Sequence, residues 1–331
     1  MVLITASAMA KAGQSALELL RAAGFEINQP SLSSPATADE LSHLLPEADA
    51  VIAGVEPYSA SLLASACASR LRIISRWGVG FDAVDIQEAS RQGIVVANTP
   101  NLLDEAVADY TFALLLALAR QIHSGHLGMQ NGHWQATWGV DVAGKTLGLI
   151  GCGRIGLAVA RRAAGFNLQL LACDPRRSLE AAACGVRSVS LDQLLAESDF
   201  VSLHAALTAE NRNLIGAAQL RKMKPTSLII NTARGALLDE AALVHALNER
   251  WIAGAALDVF CKEPLPADHP LRSAPNLLLT PHQASFAQDT GERVSLTAAQ
   301  AIVDLMSGRR PRFVVNPEVF QATALRAKLN L

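Results

Sequence analysis

Short apolar runs alternate along the chain with longer stretches rich in Ala and Leu. A continuous apolar run bounded by polar residues is the mark of a strand buried on both faces. Its alternation with helical stretches predicts parallel sheets with crossover helices. Two series of such units are legible. The first places strands at residues 2–5, 50–53, 72–75 and 94–97, with helices such as 15–23 and 59–66 between them. The second starts at 146–150 and continues at 168–172, 186–189, 200–203, 227–231, 254–257 and 276–279. Those seven strands suffice for a complete doubly wound domain. Between the series, residues 102–121 are apolar nearly all round, with Asp104 and Glu105 near the start and Arg120 near the end, the charges a helix dipole favours. Such a helix must be buried or lie in an interface. A last helix is expected at about 297–306.

Composition supports this division and narrows the partners. The chain has 331 residues, 50% of them hydrophobic and 18% charged, which is more apolar surface than one small core takes up. The net charge of −2, with no long Lys/Arg run, argues against nucleic-acid and anionic-membrane partners. The most apolar stretch carries Asp104, Glu105 and Asp109, too many acids for a membrane span. The start is short and lacks a basic region, so no secretory leader is expected. Five widely spaced cysteines, none in a CxxC, predict neither a disulfide framework nor a metal site and suit a reducing cytoplasm.

Gly151-Cys152-Gly153-Arg154-Ile155-Gly156 is a GxGxxG, a weak signal alone. Here an apolar strand precedes it and a helical stretch follows. Gly151 permits the tight turn, Gly153 lets backbone approach a pyrophosphate, and Gly156 lets the helix pack on the sheet. The next strand ends in Asp174, about 20 residues on, where an acid accepts from ribose hydroxyls and repels a 2′-phosphate. NAD is therefore expected over NADP. Arg176 and Arg177 pull the other way, since they would tolerate a 2′-phosphate.

Three further motifs each follow an expected strand: Asn231-Thr232-Ala233-Arg234-Gly235, then Leu257-Asp258-Val259-Phe260 leading to Glu263-Pro264, then Thr280-Pro281-His282. In an open α/β sheet, ligands bind at the carboxyl ends of the strands. With Arg76 to Asp82 (RWGVGFD) and Asn98-Thr99-Pro100, these motifs resemble, in order and over nearly the whole chain, the D-isomer specific 2-hydroxyacid dehydrogenase family. The resemblance implies a Rossmann-type NAD domain, residues 102–284, and a smaller flavodoxin-like α/β substrate domain built from 1–101 and 285–331. It implies a homodimer through the helix near 102–121. It implies that Val79 and Gly80 bind the substrate carboxylate. His204, Thr208, Thr232, Ala233, Arg154 and Ile155 fall at cofactor positions, and Asp258 would accept from the nicotinamide carboxamide.

The residue types suit that chemistry. Arg234 offers a planar fork of donors to the carboxylate and ketone of a 2-oxo acid. His282 is the general acid for the developing alkoxide and the base in reverse. Glu263 would orient the imidazole and favour its protonated form. Taken singly, an Arg after a strand, a Glu before Pro or a lone His is usually structural or solvated. Three of them at strand exits of one dinucleotide fold make a site.

The chain departs from the family in places. His204-Ala205-Ala206-Leu207-Thr208 lacks the proline usual in this loop, which should loosen it. Phosphoglycerate dehydrogenases, which the chain also resembles, carry an Arg-Ser pair where this sequence has Gly54-Val55-Glu56, and Glu56 would repel a phosphate. A small 2-oxo acid such as glyoxylate or hydroxypyruvate is the leading expectation. Phosphoglycerate or phosphite oxidation and an NAD-sensing, corepressor-like binding protein are the alternatives. A Gln-His pair would mark a formate enzyme, and here the partner is Glu263.

Overall fold

The computed structural model describes residues 1–32, 35–176 and 179–329. The chain divides into two compact units, Met1–Leu103 with Phe286–Leu331, and Asp104–Ser285.

The first unit is a parallel sheet of β1 (Val2–Ile4), β2 (Ile27–Asn28), β3 (Ala50–Ala53), β4 (Ile73–Arg76) and β5 (Val95–Ala97). Their order, β2-β1-β3-β4-β5, is that of flavodoxin-like sheets. All residues of β1, β3, β4 and β5 are buried, and β1, β3 and β5 read as unbroken apolar runs, whereas β4 ends in the buried Ser75 and Arg76. The two residues of β2 form an edge, too short to leave a pattern.

The last helix is longer than its sequence suggests, running over Gln288–Met306. Of the buried residues in its first half only Val294 is large and apolar, beside Thr290, Gly291 and Ser295, so no apolar period announces it. A Cβ at Gly291 would come within 2.6 Å of the Ala12 Cβ, a measure of how closely this helix packs. Ser75 Oγ donates to the Ala298 carbonyl at 2.8 Å, and Trp77 Nε1 donates to Ser295 Oγ at 2.9 Å. Trp77 is thus a core residue of this unit.

The second unit holds β6 (Thr146–Ile150), β7 (Gln169–Cys173), β8 (Val186–Ser188), β9 (Phe200–Leu203), β10 (Leu228–Asn231), β11 (Gly254–Leu257) and β12 (Leu277–Leu279). All pairs are parallel, in the order β12-β11-β10-β9-β6-β7-β8. The direction of winding reverses between β6 and β9, the switch point at which dinucleotide folds bind their ligand.

The helix Asp104–Ala119 is largely buried within this unit. Its Ala108, Phe112, Leu115 and Leu118 share a core with Leu147, Leu149, Ala158 and Ile230. Glu105 and Asp109 also pair with Arg161 and Arg162 on the helix Arg154–Ala163. Those pairs are half-exposed, worth about 0.2–1 kcal/mol each, so apolar packing decides the position. Arg120 lies just past the helix end, and Gln121 turns the backbone left-handed at φ 54°. A second helix, Ile122–Gln130, follows with no buried residue. Exposed apolar surface gathers here instead, at Ile122, Leu127, Met129, Trp134 (90% exposed) and Trp138 (96%). Among the described residues, no helix is long and apolar enough to cross a membrane.

Candidate active site

The glycine motif links β6 to the helix Arg154–Ala163. Gly151 has φ 90°, and a Cβ there would lie 2.6 Å from the Ala205 nitrogen. A Cβ on Gly156 would lie 2.5 Å from the Gly151 carbonyl oxygen. Both positions exclude any side chain. Gly153 differs: nothing lies within 4 Å of a Cβ built on it. As N-cap, Gly153 makes no side-chain hydrogen bond to the first amides of the helix, the arrangement that suits an anion. Arg154 is exposed at the first helical position and Ile155 is half-buried. Burial raises the Asp104 carboxyl above its usual range, and the nearby Arg154 charge counters that effect.

Asp174 follows β7 and shapes the same turn. Its Oδ2 accepts from the Cys152 amide at 2.7 Å and its Oδ1 from the Arg176 amide at 2.8 Å. Each oxygen keeps a lone pair for a further donor. Burial and the Asp174 charge push the Cys152 thiol up to about 11, so it stays neutral. Arg176 is 87% exposed with its Nε 4.0 Å from Asp174. Arg177 lies outside the described residues.

His204 leaves β9, and its Nε2 is 2.9 Å from Ser202 Oγ. Packing around the ring lowers its pKa to about 4, so the imidazole is neutral. The loop without its proline is braced by Asn211, whose Oδ1 accepts from the Thr208 amide and whose Nδ2 donates to the Ala206 carbonyl, both at 2.7 Å. Thr232 is buried, 3.1 Å from the Thr111 hydroxyl.

The three ionisable candidates stand at the exits of β10, β11 and β12, adjacent strands of one sheet. Asn231, buried at the end of β10, accepts from the Ala233 amide at 3.0 Å and donates to the Arg234 carbonyl at 2.9 Å, closing the loop that presents Arg234. Arg234 Nη1 donates to the Ala233 carbonyl at 2.6 Å. A Cβ on Gly235 would lie 2.0 Å from the Phe260 carbonyl carbon, so this glycine lets the loop after β11 close against the Arg234 loop. In that loop Glu263 Oε1 accepts from the Phe260 amide at 3.0 Å. Its Oε2 stands 2.7 Å from His282 Nδ1, which fixes the ring and turns Nε2 outward. The Glu263-Pro264 peptide is cis. Glu240 braces the loop from behind, accepting from the Cys261 amide at 2.7 Å.

His282 has φ 50°, uncommon for a residue with a Cβ. Asp258 explains how the backbone is held there. Its fully buried carboxylate accepts from Thr280 Oγ1 (2.6 Å), the Gln283 amide (3.0 Å) and the Ala284 amide (2.8 Å). The His282 amide donates to the Asp258 carbonyl at 2.8 Å. Asp258 therefore anchors the histidine segment, a role that sequence reasoning did not assign. Burial raises its pKa above the usual carboxylate range, and these donors oppose the rise.

Val79 and Gly80 belong to the first unit, in the loop after β4. Three consecutive carbonyls of the loop are tied back. Thr99 N–H donates to Gly78 O at 3.0 Å, Asn98 Nδ2 to Val79 O at 2.8 Å, and Arg76 Nε to Gly80 O at 2.9 Å. Gly78, at φ 141°, donates its amide to Thr99 Oγ1. The amides of Val79 and Gly80 donate to no acceptor among the described contacts. Glu56, expected to face a phosphate, is instead buried at 2% exposure.

Residues 112–284 match the family model described as D-isomer specific 2-hydroxyacid dehydrogenase, NAD binding domain. The chain is 42% identical over 303 residues to a glyoxylate reductase of Korarchaeum cryptofilum, covering 89% of this chain and 91% of that protein. Among solved structures, the TT0316 protein of Thermus thermophilus superposes with a TM-score of 0.83 at 38% identity, covering 95% of this chain and 99% of its own. The apo-structure of D-lactate dehydrogenase from Escherichia coli gives a TM-score of 0.83 at 30% identity, covering 95% and 100%.

Proposed function

The chain belongs to the D-isomer specific 2-hydroxyacid dehydrogenase family, enzymes that interconvert 2-oxo and 2-hydroxy acids with a nicotinamide dinucleotide, and from this premise we propose that it reduces a small 2-oxo acid of the size of glyoxylate or hydroxypyruvate to the D-2-hydroxy acid. The observation that carries the reading is the 2.7 Å contact between Glu263 and His282, one strand over from Arg234. The glyoxylate reductases among the relatives support the substrate size.

The second unit is the dinucleotide unit and the first the substrate unit. The glycine turn fits a pyrophosphate, because the space beside Gly153 and the uncapped helix amides lie at one place. The Asp174 lone pairs take the ribose hydroxyls, which favours NAD over NADP. Thr208, Thr232, Ala233 and His204 line the same ligand, and the acceptor capacity left on Asp258 takes the carboxamide. When bound, the nicotinamide supplies or accepts a hydride at C4.

The chain's own residues do the rest. Arg234 holds the substrate's carboxylate and ketone oxygens, with the Val79 and Gly80 amides as a second carboxylate anchor. As the ketone carbon is reduced, its oxygen gains negative charge and His282 Nε2–H gives it a proton. In oxidation Nε2 takes that proton. Glu263 holds Nδ1–H and stabilises the imidazolium. NADH consumption at 340 nm with glyoxylate, hydroxypyruvate, pyruvate and a longer 2-oxo acid tests the reading. Saturable turnover with the small acids is expected, and tight NADH binding without turnover on any acid refutes it.

We further propose a homodimer whose contact extends from the helix Asp104–Ala119 into the segment after it. The exposed Trp134 and Trp138 support a second copy there, since so large an apolar surface rarely faces water. Sedimentation of the Trp134→Ser, Trp138→Ser double variant should show a shift toward monomer. The five free cysteines support a cytoplasmic, reducing compartment.

A further inference from the structure

Beneath the Gly78–Gly80 loop lies a pair of buried charges that the chemistry above does not use. Arg76 ends β4 at 5% exposure, and Glu56 follows β3 at 2% exposure. Arg76 reaches two backbones at once. Its Nε donates to Gly80 O and its Nη1 to Ala53 O, each at 2.9 Å. Its Nη2 lies 3.4 Å from where a Cβ on Gly78 would stand, so the guanidinium sits directly against the loop.

Glu56 folds back over Gly54. A Cβ at that position would collide with Glu56 Oε1 at 2.5 Å, so the glycine makes room for the carboxylate. Glu56 Oε2 is buried with no hydrogen-bond partner among the described residues, and burial raises this carboxyl above its usual range while the Arg76 charge opposes the rise. Buried charges are poor stabilisers: apolar side chains of the same volume hold a fold as well or better. A carboxylate oxygen left without a donor adds to that cost.

We propose that Glu56 and Arg76 set the affinity of the Val79–Gly80 loop for the substrate's carboxylate, Arg76 as the positioning residue that shapes the loop and Glu56 as the counter-charge that tempers its attraction. The inference rests on reading that loop as a carboxylate anchor. Three of its carbonyls are pinned back by Thr99, Asn98 and Arg76, which leaves the Val79 and Gly80 amides to the anion. Arg76 places a full positive charge behind those amides. Alone, it would bind any anion tightly, product included. When ionised, Glu56 offsets part of that field at the loop while leaving the hydrogen bonds to Gly80 and Ala53 in place. The two residues therefore act with opposite sign on the same quantity.

The test uses the full-length protein with saturating NADH at pH 8. The KM for glyoxylate is measured, together with the inhibition constant of oxamate, an unreactive monoanion of similar shape. Glu56→Gln keeps the shape and removes the charge. It should lower both constants about three- to tenfold, as expected for one unit charge at close range in a half-wet site. Arg76→Met should raise both about tenfold or more, because the loop loses its brace and its cation. Arg76→Lys, which keeps the charge and loses the fork, should raise them by less. The changes should appear in the acid's constants, with smaller changes in kcat and in the NADH dissociation constant. If Arg76→Met fails to fold, Glu56→Gln and Arg76→Lys still must move in opposite directions. Same-sign shifts, no shift, or an equal shift in NADH affinity would show that the pair only props up the fold and would overturn the inference. A wild-type enzyme inert to every 2-oxo acid refutes the proposed function itself, and that outcome is visible before any substitution is made.

Discussion

The two sheets are both parallel and doubly wound, and both carry their candidate chemistry at strand exits, yet they do so with different parts of the chain. After β4, the first sheet offers backbone. Side chains tie back the Val79 and Gly80 carbonyls, and the amides of this loop are the proposed anchor. After β10, β11 and β12, the second sheet offers ionisable side chains, each held by neighbouring backbone. Backbone amides suit an anion whose charge does not change during the reaction. Proton transfer needs a group with a pKa in reach, which no amide has. On the proposed function, the division between the two regions would follow two tasks, anchoring a fixed anion and moving a proton.

Substitutions can break that contrast, and the largest effect is expected at the proton donor. His282→Ala should lower kcat about 10²- to 10⁴-fold while NADH affinity stays near wild type, read by stopped-flow and by fluorescence titration. Next, Arg234→Lys should lower kcat/KM about a hundredfold, since an ammonium cannot reproduce the fork; a near-normal KM in steady-state kinetics would count against the clamp. Asp174→Ala should shift the NADH/NADPH preference about tenfold toward NADPH, measured as a ratio of kcat/KM values.

His204 gives a smaller effect, seen in stability. Its folded pKa of about 4 lies below the ordinary histidine value of 6.5, so the unfolded chain binds more protons between those pH values. Stability from this group is fully present above about pH 6.5 and is lost as pH falls toward 4. The loss is on the order of 2 kcal/mol. Denaturant titrations of His204→Asn should show a flatter pH dependence in that window. The smallest effect is expected at Val79→Ala, where less than a threefold change in the acid's KM (about 0.6 kcal/mol) would confirm that the contact is made by backbone. A large change there would place side-chain recognition in the first unit and erase the contrast.

Sequence reasoning reached the fold through burial. Strands β3, β9 and β11 coincide with their expected spans because each is buried along its whole length. It missed β2, two residues at an edge, and the helix Ile122–Gln130, which buries nothing and so carries no periodic signal. It began the last helix nine residues late, because small polar residues pack there where large apolar ones were sought. At the site, residue types with reactive groups stood out, and the residues that position them did not. Asn231 lay inside a recognised motif, but its side-chain bonds to its own loop depend on a turn geometry the motif does not state. Asp258 stood out as a ligand residue, and its further role in anchoring the His282 segment was not legible. Glu56 reads in sequence as a charge facing the ligand, because nothing there tells whether a carboxylate after a strand points outward or folds back on a glycine.

The first unit takes its last helix from the far end of the chain, with 182 residues of the second unit, Asp104–Ser285, in between. On a ribosome this reverses the usual order, in which the amino-terminal domain completes first. The second unit has all seven of its strands once residue 279 has emerged. The first has its five strands by residue 97, but Ser75 and Trp77 must wait for Ser295 and Ala298. Nascent chains of this protein therefore carry a finished domain downstream of an unfinished one. The uncovered face of β4 is the surface that a chaperone would have to shield until translation nears its end.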